Sequence, residues 1–102
     1  KTMYYSNGKM ELRENYADGK LTGERTVYFP DGDLWYKENY KAGRLEGDRT
    51  AFFPNGAKRL EEFYVDGMME GARKIYAENG NLLTSEEYHW GTLVHNTERK
   101  NG

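Results

Sequence analysis

The sequence predicts an all-β fold, a single-layer elongated antiparallel meander of repeated β-hairpins with a 24-residue period. Three observations predict it. Glycines recur at fixed intervals, two kinds of turn signal alternate along the chain, and tyrosine supplies nine of the aromatic residues, which is typical of half-buried strands. The first two glycine columns are Gly8, Gly32, Gly56, Gly80 and Gly19, Gly43, Gly67, Gly91.

Composition indicates one small domain over residues 1–102. We expect it to contain units at about 4–27, 28–51, 52–75 and 76–99. The chain starts without methionine and Lys1–Tyr5 match the second half of a unit, so we interpret it as a segment of a longer chain. The formal net charge of −2 gives no field for nucleic acid. No apolar run reaches membrane-spanning length, so the chain as given is expected to be soluble. The absence of cysteine leaves the compartment open.

Other residue types repeat in register with the glycines. A third glycine column stops at His95, and Thr97 stands where the arginine column would continue. Such departures are usual in a terminal unit. The columns are Gly23, Gly47, Gly71; Tyr16, Tyr40, Tyr64, Tyr88; Glu14, Glu38, Glu62, Glu86; and Arg25, Arg49, Arg73.

The two turn signals set the strands. Asp18-Gly19 and its counterparts suit two-residue hairpin loops, in which glycine takes a positive φ. Phe29-Pro30-Asp31-Gly32 and its counterparts combine a proline with a closing glycine, which is typical of a longer turn. Hairpin following hairpin predicts about eight short strands.

A two-residue loop at Asp18-Gly19 also predicts a register. Residues whose numbers sum to 37 then face each other, so Tyr16 meets Leu21 and Leu12 meets Arg25 on one face. The same rule pairs Tyr40 with Leu45 and Tyr64 with Met69. The opposite face is polar and charge-paired, as a solvated face is expected to be.

In that register Glu14 lies opposite Gly23 and diagonal to Arg25. We therefore predict a structural ladder in which Glu38 pairs with Arg49 and Glu62 with Arg73, while Glu86 reaches only Thr97. Half-buried carboxylates need such partners. The alternative, paired carboxylates for acid–base catalysis, requires a cleft that a regular ladder does not form.

The segments Tyr-Tyr-Ser-Asn-Gly-Lys at 4–9 and Glu-Asn-Tyr-Ala-Asp-Gly-Lys-Leu-Thr-Gly at 14–23 resemble the MORN repeat variant of many bacterial proteins. The match recurs at 28–47 and 52–71 and more weakly at 76–93. The resemblance implies an elongated single-layer sheet of hairpins that acts as a scaffold. Bacterial relatives include YwqK-type antitoxin proteins, and eukaryotic relatives are associated with membrane phosphoinositides and self-association. Lipid binding is not favoured, because the ladder engages the arginines.

Residues for catalysis or metal binding are sparse. His89 and His95 are the only histidines, without a third ligand in local spacing. Ser6 and Ser85 lack a nucleophile-elbow context. We therefore expect no catalytic residues, no metal, no cofactor and no enzyme activity.

Aromatic residues are the remaining candidates for binding. Tyr28, Phe52 and Tyr76 are expected on the face opposite the tyrosine ladder, joined by Trp35 and Phe63. Stacking between units is one role for them, and a groove for a protein, peptide or glycan is the other. The free sheet edges also favour binding. We therefore predict a protein-interaction or scaffold module with a protein partner or self-association, and an antitoxin or immunity-type protein is the alternative.

Overall fold

The computed structural model describes residues 1–98, and the described chain contains thirteen strands and no helix. The all-β prediction is confirmed. The strands are β1 Thr2–Tyr4, β2 Met10–Arg13, β3 Tyr16–Ala17, β4 Lys20–Leu21, β5 Gly23–Tyr28, β6 Leu34–Lys41, β7 Arg44–Leu45, β8 Gly47–Phe52, β9 Lys58–Val65, β10 Met68–Met69, β11 Gly71–Tyr76, β12 Leu82–His89 and β13 Thr92–Glu98.

The sheet is an open antiparallel meander. Its main path runs β1-β2-β5-β6-β8-β9-β11-β12-β13. The two-residue strands β3, β4, β7 and β10 form the arms of the tight hairpins beside this path. The principal extents are 43 × 32 × 12 Å, and the smallest of them corresponds to a single sheet with side chains on both faces. The path has nine strands where about eight were predicted, because Lys1–Tyr5 contributes β1.

The tight hairpins use turns in which both central residues have positive φ. Asp18 and Gly19 have φ of 51° and 76°, as a type I′ turn requires. Ala42 and Trp90 take the same φ of 51° at the corresponding position, although a Cβ atom disfavours this conformation. The predicted two-residue loops are thus present.

The second turn joins consecutive units. Gly32 N donates to Phe29 O at 2.9 Å, and Phe29 N donates to Asp33 O at 2.8 Å. The Asp31 carboxylate accepts from Asp33 N at 3.0 Å. Gly32 closes the turn with φ of 100°, as predicted from the Pro-Asp-Gly signal.

The predicted register holds near the tight turns and is wrong beyond them. Tyr16 pairs with Leu21 as expected, but Leu12 pairs with Val27 instead of Arg25. The sum of the two paired residue numbers is larger by two than predicted. Because the shift is an even number of residues, the side chains stay on their predicted faces. Tyr36 with Ala51 and Leu60 with Ile75 show the same shift in the next two units.

The glycines of the third column cause this shift. Gly23 has φ of 71° and pairs with Tyr40 of the next unit, not with Glu14. A Cβ added at Gly23 would meet nothing within 4 Å. The requirement for glycine is therefore the left-handed backbone and not a lack of space.

The last hairpin differs because His95 replaces that glycine. Tyr88 pairs with Leu93, and Glu87 then pairs with His95, so the pairing sum moves by one and Val94 is the extra residue. A one-residue shift exchanges the faces of the strand. Asn96 therefore lies opposite Glu86, where the repeat pattern would have placed Thr97.

Candidate functional site

The face of the sheet that carries the glutamate and arginine columns holds a continuous ladder of ion pairs, here called the ladder face. Arg25 Nε donates to Glu14 at 2.6 Å, and its Nη1 donates to Glu38 of the next unit at 2.7 Å. Arg49 bonds Glu38 and Glu62 in the same way at 2.6 and 2.8 Å. The guanidinium fork reaches two carboxylates at once, so the ladder joins neighbouring units and not only the two arms of one hairpin.

The tyrosine column completes the ladder. Tyr16 donates its hydroxyl proton to Glu14 at 2.9 Å, and Tyr64 donates to Glu62 at 3.1 Å. Tyr40 and Tyr88 make the corresponding bonds to Glu38 and Glu86 at 3.3 Å. Each ladder carboxylate therefore accepts bonds from an arginine and from the tyrosine two residues further along the chain.

The ladder ends differently from the prediction. Arg73 donates to Glu62 at 2.7 Å and to Glu86 at 2.8 Å. Asn96 Nδ2 also donates to Glu86, at 3.2 Å. Glu86 is thus bonded to an arginine and an amide, and the expectation that it reaches only Thr97 is wrong because the one-residue shift brings Asn96 to this face.

Burial and hydrogen bonding oppose each other in the ladder. Hydrogen bonding from Arg25 lowers the pKa of Glu14. Burial alone would raise the pKa of Glu62, but hydrogen bonds from Arg73 and Arg49 outweigh it and the pKa is lowered. Burial beside Glu62 raises the pKa of Tyr64 to about 12. Glu14 and Glu62 are therefore held ionised and Tyr64 is held neutral, as a structural network requires.

A row of half-buried aromatic and leucine side chains, together with the exposed Lys58, crosses the opposite face. Tyr28 pairs with Leu34, and Tyr76 pairs with Leu82, on adjacent strands. Phe52 lies between these pairs and faces Lys58. We call this set the aromatic row, defined by Tyr28, Leu34, Phe52, Lys58, Tyr76 and Leu82. A shallow cavity of about 290 Å³, lined by Leu34, Phe52, Pro54 and neighbouring turn residues, opens beside it.

A charged groove runs alongside the aromatic row. Tyr76 donates its hydroxyl proton to Glu61 at 2.5 Å, and this bond raises the pKa of Tyr76 to about 12. Glu61 also accepts from Lys58 at 3.3 Å. The groove has a volume of about 360 Å³ and its polar side chains are those of Glu24, Lys37, Asn39, Asp48, Thr50, Lys58 and Glu61. Phe63, which alternates with Glu62 along β9, lies on the groove side and is 42% exposed.

Trp35 is not on this face, contrary to the sequence-based expectation. The bulge beside Tyr28 leaves Trp35 as the extra residue of β6, and its ring lies 5.5 Å from that of Tyr36 on the ladder face. Phe29 stacks on Trp35 at 4.7 Å and 13°. The period-two alternation used for the prediction fails at a bulge.

Two arginine side chains lie against the ring of Tyr36. The guanidinium carbon of Arg49 lies 5.0 Å from the Tyr36 ring centre, and that of Arg59 lies 5.6 Å away. Arg59 also donates to the Tyr36 hydroxyl at 2.6 Å. The sequence reasoning missed Arg59, because it does not belong to a residue column repeated in every unit.

The histidines lie near the last hairpin. His89 Nδ1 is 3.1 Å from Glu70, whose other oxygen accepts from Trp90 N at 2.9 Å. The backbone bond from Trp90 lowers the pKa of Glu70. Within residues 1–98 no group of three potential ligands could hold a metal ion, and no helix there is of a length and hydrophobicity to cross a bilayer.

Comparison with known proteins identifies the repeat. The family model described as MORN repeat variant matches residues 1–18, 21–42 and 69–89, which together make up more than half of the chain. The first match contains the Gly8 turn and the third contains the Gly80 turn, so units at both ends of the array are recognised. No curated protein matches the chain.

Proposed function

Because the chain belongs to the MORN repeat variant family, a family of repeat scaffolds and binding modules, we propose that it binds a partner protein through the aromatic row. The aromatic row is the observation that carries the proposal. Its aromatic side chains are half-buried, so each keeps part of its surface available. Tyrosine and phenylalanine provide large contact areas at a low cost in side-chain entropy.

The charged groove beside the row supports a protein as the ligand. It contributes Lys37 and Lys58 along with Glu24, Asp48 and Glu61, so both signs of charge lie within one surface. An apolar strip flanked by mixed charges suits a polypeptide that presents apolar anchors between polar residues. A polyanion would meet these carboxylates as well as the lysines.

The ladder argues against an anionic membrane surface as the main ligand. Lipid binding of this kind depends on unpaired basic side chains. Arg25, Arg49 and Arg73 each donate to two carboxylates, so their charge is neutralised within the sheet. The proposal involves no catalytic step. The antitoxin hypothesis names a more specific partner and remains a hypothesis, since no contact in the structure distinguishes a toxin from another protein.

Photo-crosslinking in cells tests the proposal. A benzophenone analogue of phenylalanine replaces Phe52 in one variant and Trp35 in the matched control, which samples the ladder face. We expect the variant at Phe52 to form a protein adduct that the control lacks, and Tyr28→Ser in the same chain to reduce its yield several-fold.

Identical adducts from both positions, or none from Phe52, would contradict the proposal. Sedimentation with vesicles of neutral and of anionic phospholipid provides the comparison with a membrane ligand. We expect the folded chain to remain in the supernatant with both. Pelleting with anionic vesicles alone would favour the lipid reading instead.

A further inference from the structure

The rings of the aromatic row recur at a fixed distance. Tyr28 lies on β5, Phe52 on β8 and Tyr76 on β11, and a single strand of the path separates each from the next. Each ring also follows the same β-bulge of its unit. Neighbouring strands of a sheet lie about 4.8 Å apart, so the three rings follow one another at intervals of about 9.6 Å. A ligand that contacts all three must therefore run across the strands.

This interval agrees with the repeat of a polyproline II helix. Such a helix rises about 3.1 Å per residue with about three residues per turn, so one side of it returns after about 9.3 Å. Over the two intervals from Tyr28 to Tyr76, the ligand and the row differ by about 0.6 Å. Side chains of an extended strand return to one side after about 6.6 Å, and two turns of an α-helix span about 10.8 Å. Both of these conformations fall out of step with the rings.

The side chains between the rings suit a ligand rich in proline. Leu34 lies between Tyr28 and Phe52, and Lys58 lies between Phe52 and Tyr76. Aromatic rings thus alternate with aliphatic chains along the row, because the stem of a lysine is apolar. Proline-rich segments bind to aromatic-lined grooves of this kind, and the polyproline II helix has little conformational entropy left to lose.

The hydroxyl group of Tyr28 is available as a donor. In the part of the chain that the structure describes, no hydrogen bond engages it, and Tyr5 donates instead to the backbone oxygen of Tyr28, at 2.6 Å. The hydroxyl of Tyr76, in contrast, donates to Glu61. A polyproline II helix has no internal hydrogen bonds, so its carbonyl oxygens are free to accept from Tyr28.

Acidic side chains outnumber basic ones on the groove side of the row. The charged groove contributes three carboxylates and two ammonium groups, those of Glu24, Asp48, Glu61, Lys37 and Lys58. This side of the row therefore has an excess of one negative charge.

The turn on the other side of the row is acidic as well. Asp33 lines the cavity beside Leu34 and Phe52, and among residues 1–98 it has no ion-pair partner. The Asp31 carboxylate lies in the same turn and accepts from Asp33 N at 3.0 Å. Lys9 of the preceding unit reaches this turn, since its side chain would be 3.5 Å from a Cβ atom added at Gly32. Two carboxylates and one lysine again leave an excess of negative charge, which complements a basic ligand.

We infer that the aromatic row binds a proline-rich segment of the partner protein in the polyproline II conformation, with an arginine or lysine of that segment beside Asp33. The inference rests on the proposed function, because it names the partner class of the same surface. The segment crosses the strands, and prolines at every third residue lie against successive rings. Tyr28 donates to one of its carbonyl oxygens.

Fluorescence anisotropy with two labelled peptides tests the period. One peptide is an arginine followed by three Pro-Ala-Ala triplets. The matched control has the same composition but carries proline at every second residue, so its prolines point to three different sides of a polyproline II helix. We expect the first peptide to bind about tenfold more tightly, because it alone places a proline on each ring. Equal affinities, or no binding of the first peptide, would overturn the inference.

Substitutions in the folded chain locate the peptide. Phe52→Ser is expected to weaken binding about tenfold. Phe63→Ser is the matched control on the same face, since Phe63 pairs with Asp48 and so lies about 13 Å from the row along the strands. It is expected to leave the affinity unchanged, and equal losses for the two variants would contradict the assignment. If circular dichroism shows that Phe52→Ser is unfolded, Tyr28→Phe decides. It keeps the ring and is expected to weaken binding about threefold, whereas an unchanged affinity would overturn the inference.

A charge exchange tests the position of the basic residue. Asp33→Asn is expected to weaken binding of the peptide with arginine several-fold, and to leave a peptide with glutamine in place of arginine unaffected. Asp18→Asn, at a distant tight turn, is the matched control and is expected to change neither affinity. Equal effects of Asp33→Asn on the two peptides would show that the arginine does not lie beside Asp33.

Two outcomes separate this inference from the proposed function. If Phe52 crosslinks a protein in cells but the peptide with proline at every third residue does not bind, protein binding by the row stands and the polyproline II inference fails. Cellohexaose is the second probe, because sugar rings also stack on aromatic side chains. Binding of cellohexaose in place of the peptide, with no protein adduct at Phe52, would assign the row to a glycan and overturn both.

Discussion

Arg49 donates from Nη1 to Glu62 at 2.8 Å, and this bond passes from the second unit of the array into the third. The Nε atom of the same guanidinium bonds Glu38 at 2.6 Å within its own unit. Glu38 and Glu62 are only 5% and 6% exposed. Among the residues whose burial the structure describes, 1–96, Ala51 is the one hydrophobic residue that is buried, and it is small. Ion pairs and hydrogen bonds therefore provide much of the interior that an apolar core provides in a thicker domain.

Removing the shared arginine is therefore expected to be severe. Arg49→Gln deprives two buried carboxylates of a charged donor, and breaking such a pair typically costs about 3 kcal/mol. Urea denaturation followed by circular dichroism measures the loss in free energy of unfolding.

The matched control is an ion pair on the opposite face. Lys37 and Glu24 are 3.6 Å apart, with side chains 49% and 52% exposed. Lys37→Gln is expected to cost about 1 kcal/mol or less, because water already screens this pair. Equal losses for the two variants would show that the ladder is not a principal source of stability.

Acid is expected to destabilise the protein through the ladder. The pKa values of Glu14 and Glu62 are lowered from an ordinary value of 4.5, so these groups contribute stability above pH 4.5 that is lost as pH falls through their folded-state pKa values. The melting temperature should be nearly constant from pH 7 to about pH 5 and fall below pH 4.5. Glu62→Gln should melt lower at pH 7 and show a shallower fall in acid. Parallel profiles for the two proteins would contradict this assignment.

Alkaline titration tests the tyrosine bonds. The pKa values of Tyr64 and Tyr76 are each raised to about 12 from an ordinary value of 10.0. Their contribution to stability is complete below pH 10 and is lost as pH rises toward 12, because the unfolded chain ionises first. The ultraviolet absorbance of phenolate should show a late step, and Tyr64→Phe should reduce its amplitude. An unchanged late step would mean that Tyr64 ionises with the exposed tyrosines.

Much of the fold could be predicted because the information is local. The sequence signals at Asp18-Gly19 and Pro30-Asp31-Gly32 determine turn types, and strand alternation then assigns Glu14 and Arg25 to one face. That assignment survived a wrong register, since a shift of two residues preserves side-chain faces. The second bond of each arginine was not predicted, because hairpin geometry describes contacts within a unit and contains nothing about the neighbouring unit.

Two features depend on backbone conformations that residue periodicity does not reveal. Gly23 was assigned as an empty partner for Glu14, whereas its positive φ produces the register shift. Trp35 was assigned by alternation to the opposite face, whereas the bulge beside Tyr28 turns it toward Tyr36. In both cases an extra residue interrupts the strand, and the alternation of polar and apolar residues in the sequence does not locate such a residue.

The first residue of the tight turn offers a reciprocal test of backbone strain. Ala42 and Asp18 both have φ of 51°, but aspartate tolerates this conformation better than alanine. Ala42→Asn is expected to stabilise the chain by about 1 kcal/mol, and Asp18→Ala to destabilise it by a similar amount. Thermal and urea unfolding measure both changes. Shifts of the same sign would show that side-chain contacts, and not φ, dominate at this position.

The register of the last hairpin should be convertible to that of the other units. The double substitution His95→Gly with Thr97→Arg restores the residue that permits a positive φ and the donor that the ladder uses elsewhere. The register between β12 and the last strand is then expected to shift by two residues, as in the other units, and not by one. Inter-strand nuclear Overhauser contacts between Glu86 and Asn96 report the change, because these residues pair in the native hairpin and would lie on opposite faces in the converted one. Val94→Glu serves as a control. It supplies only a carboxylate like that of Glu70, which accepts from Trp90 N one unit earlier, and it is expected to retain the native contacts. Survival of the Glu86–Asn96 contacts in the double variant would mean that residues other than His95 hold the last strand in its one-residue register.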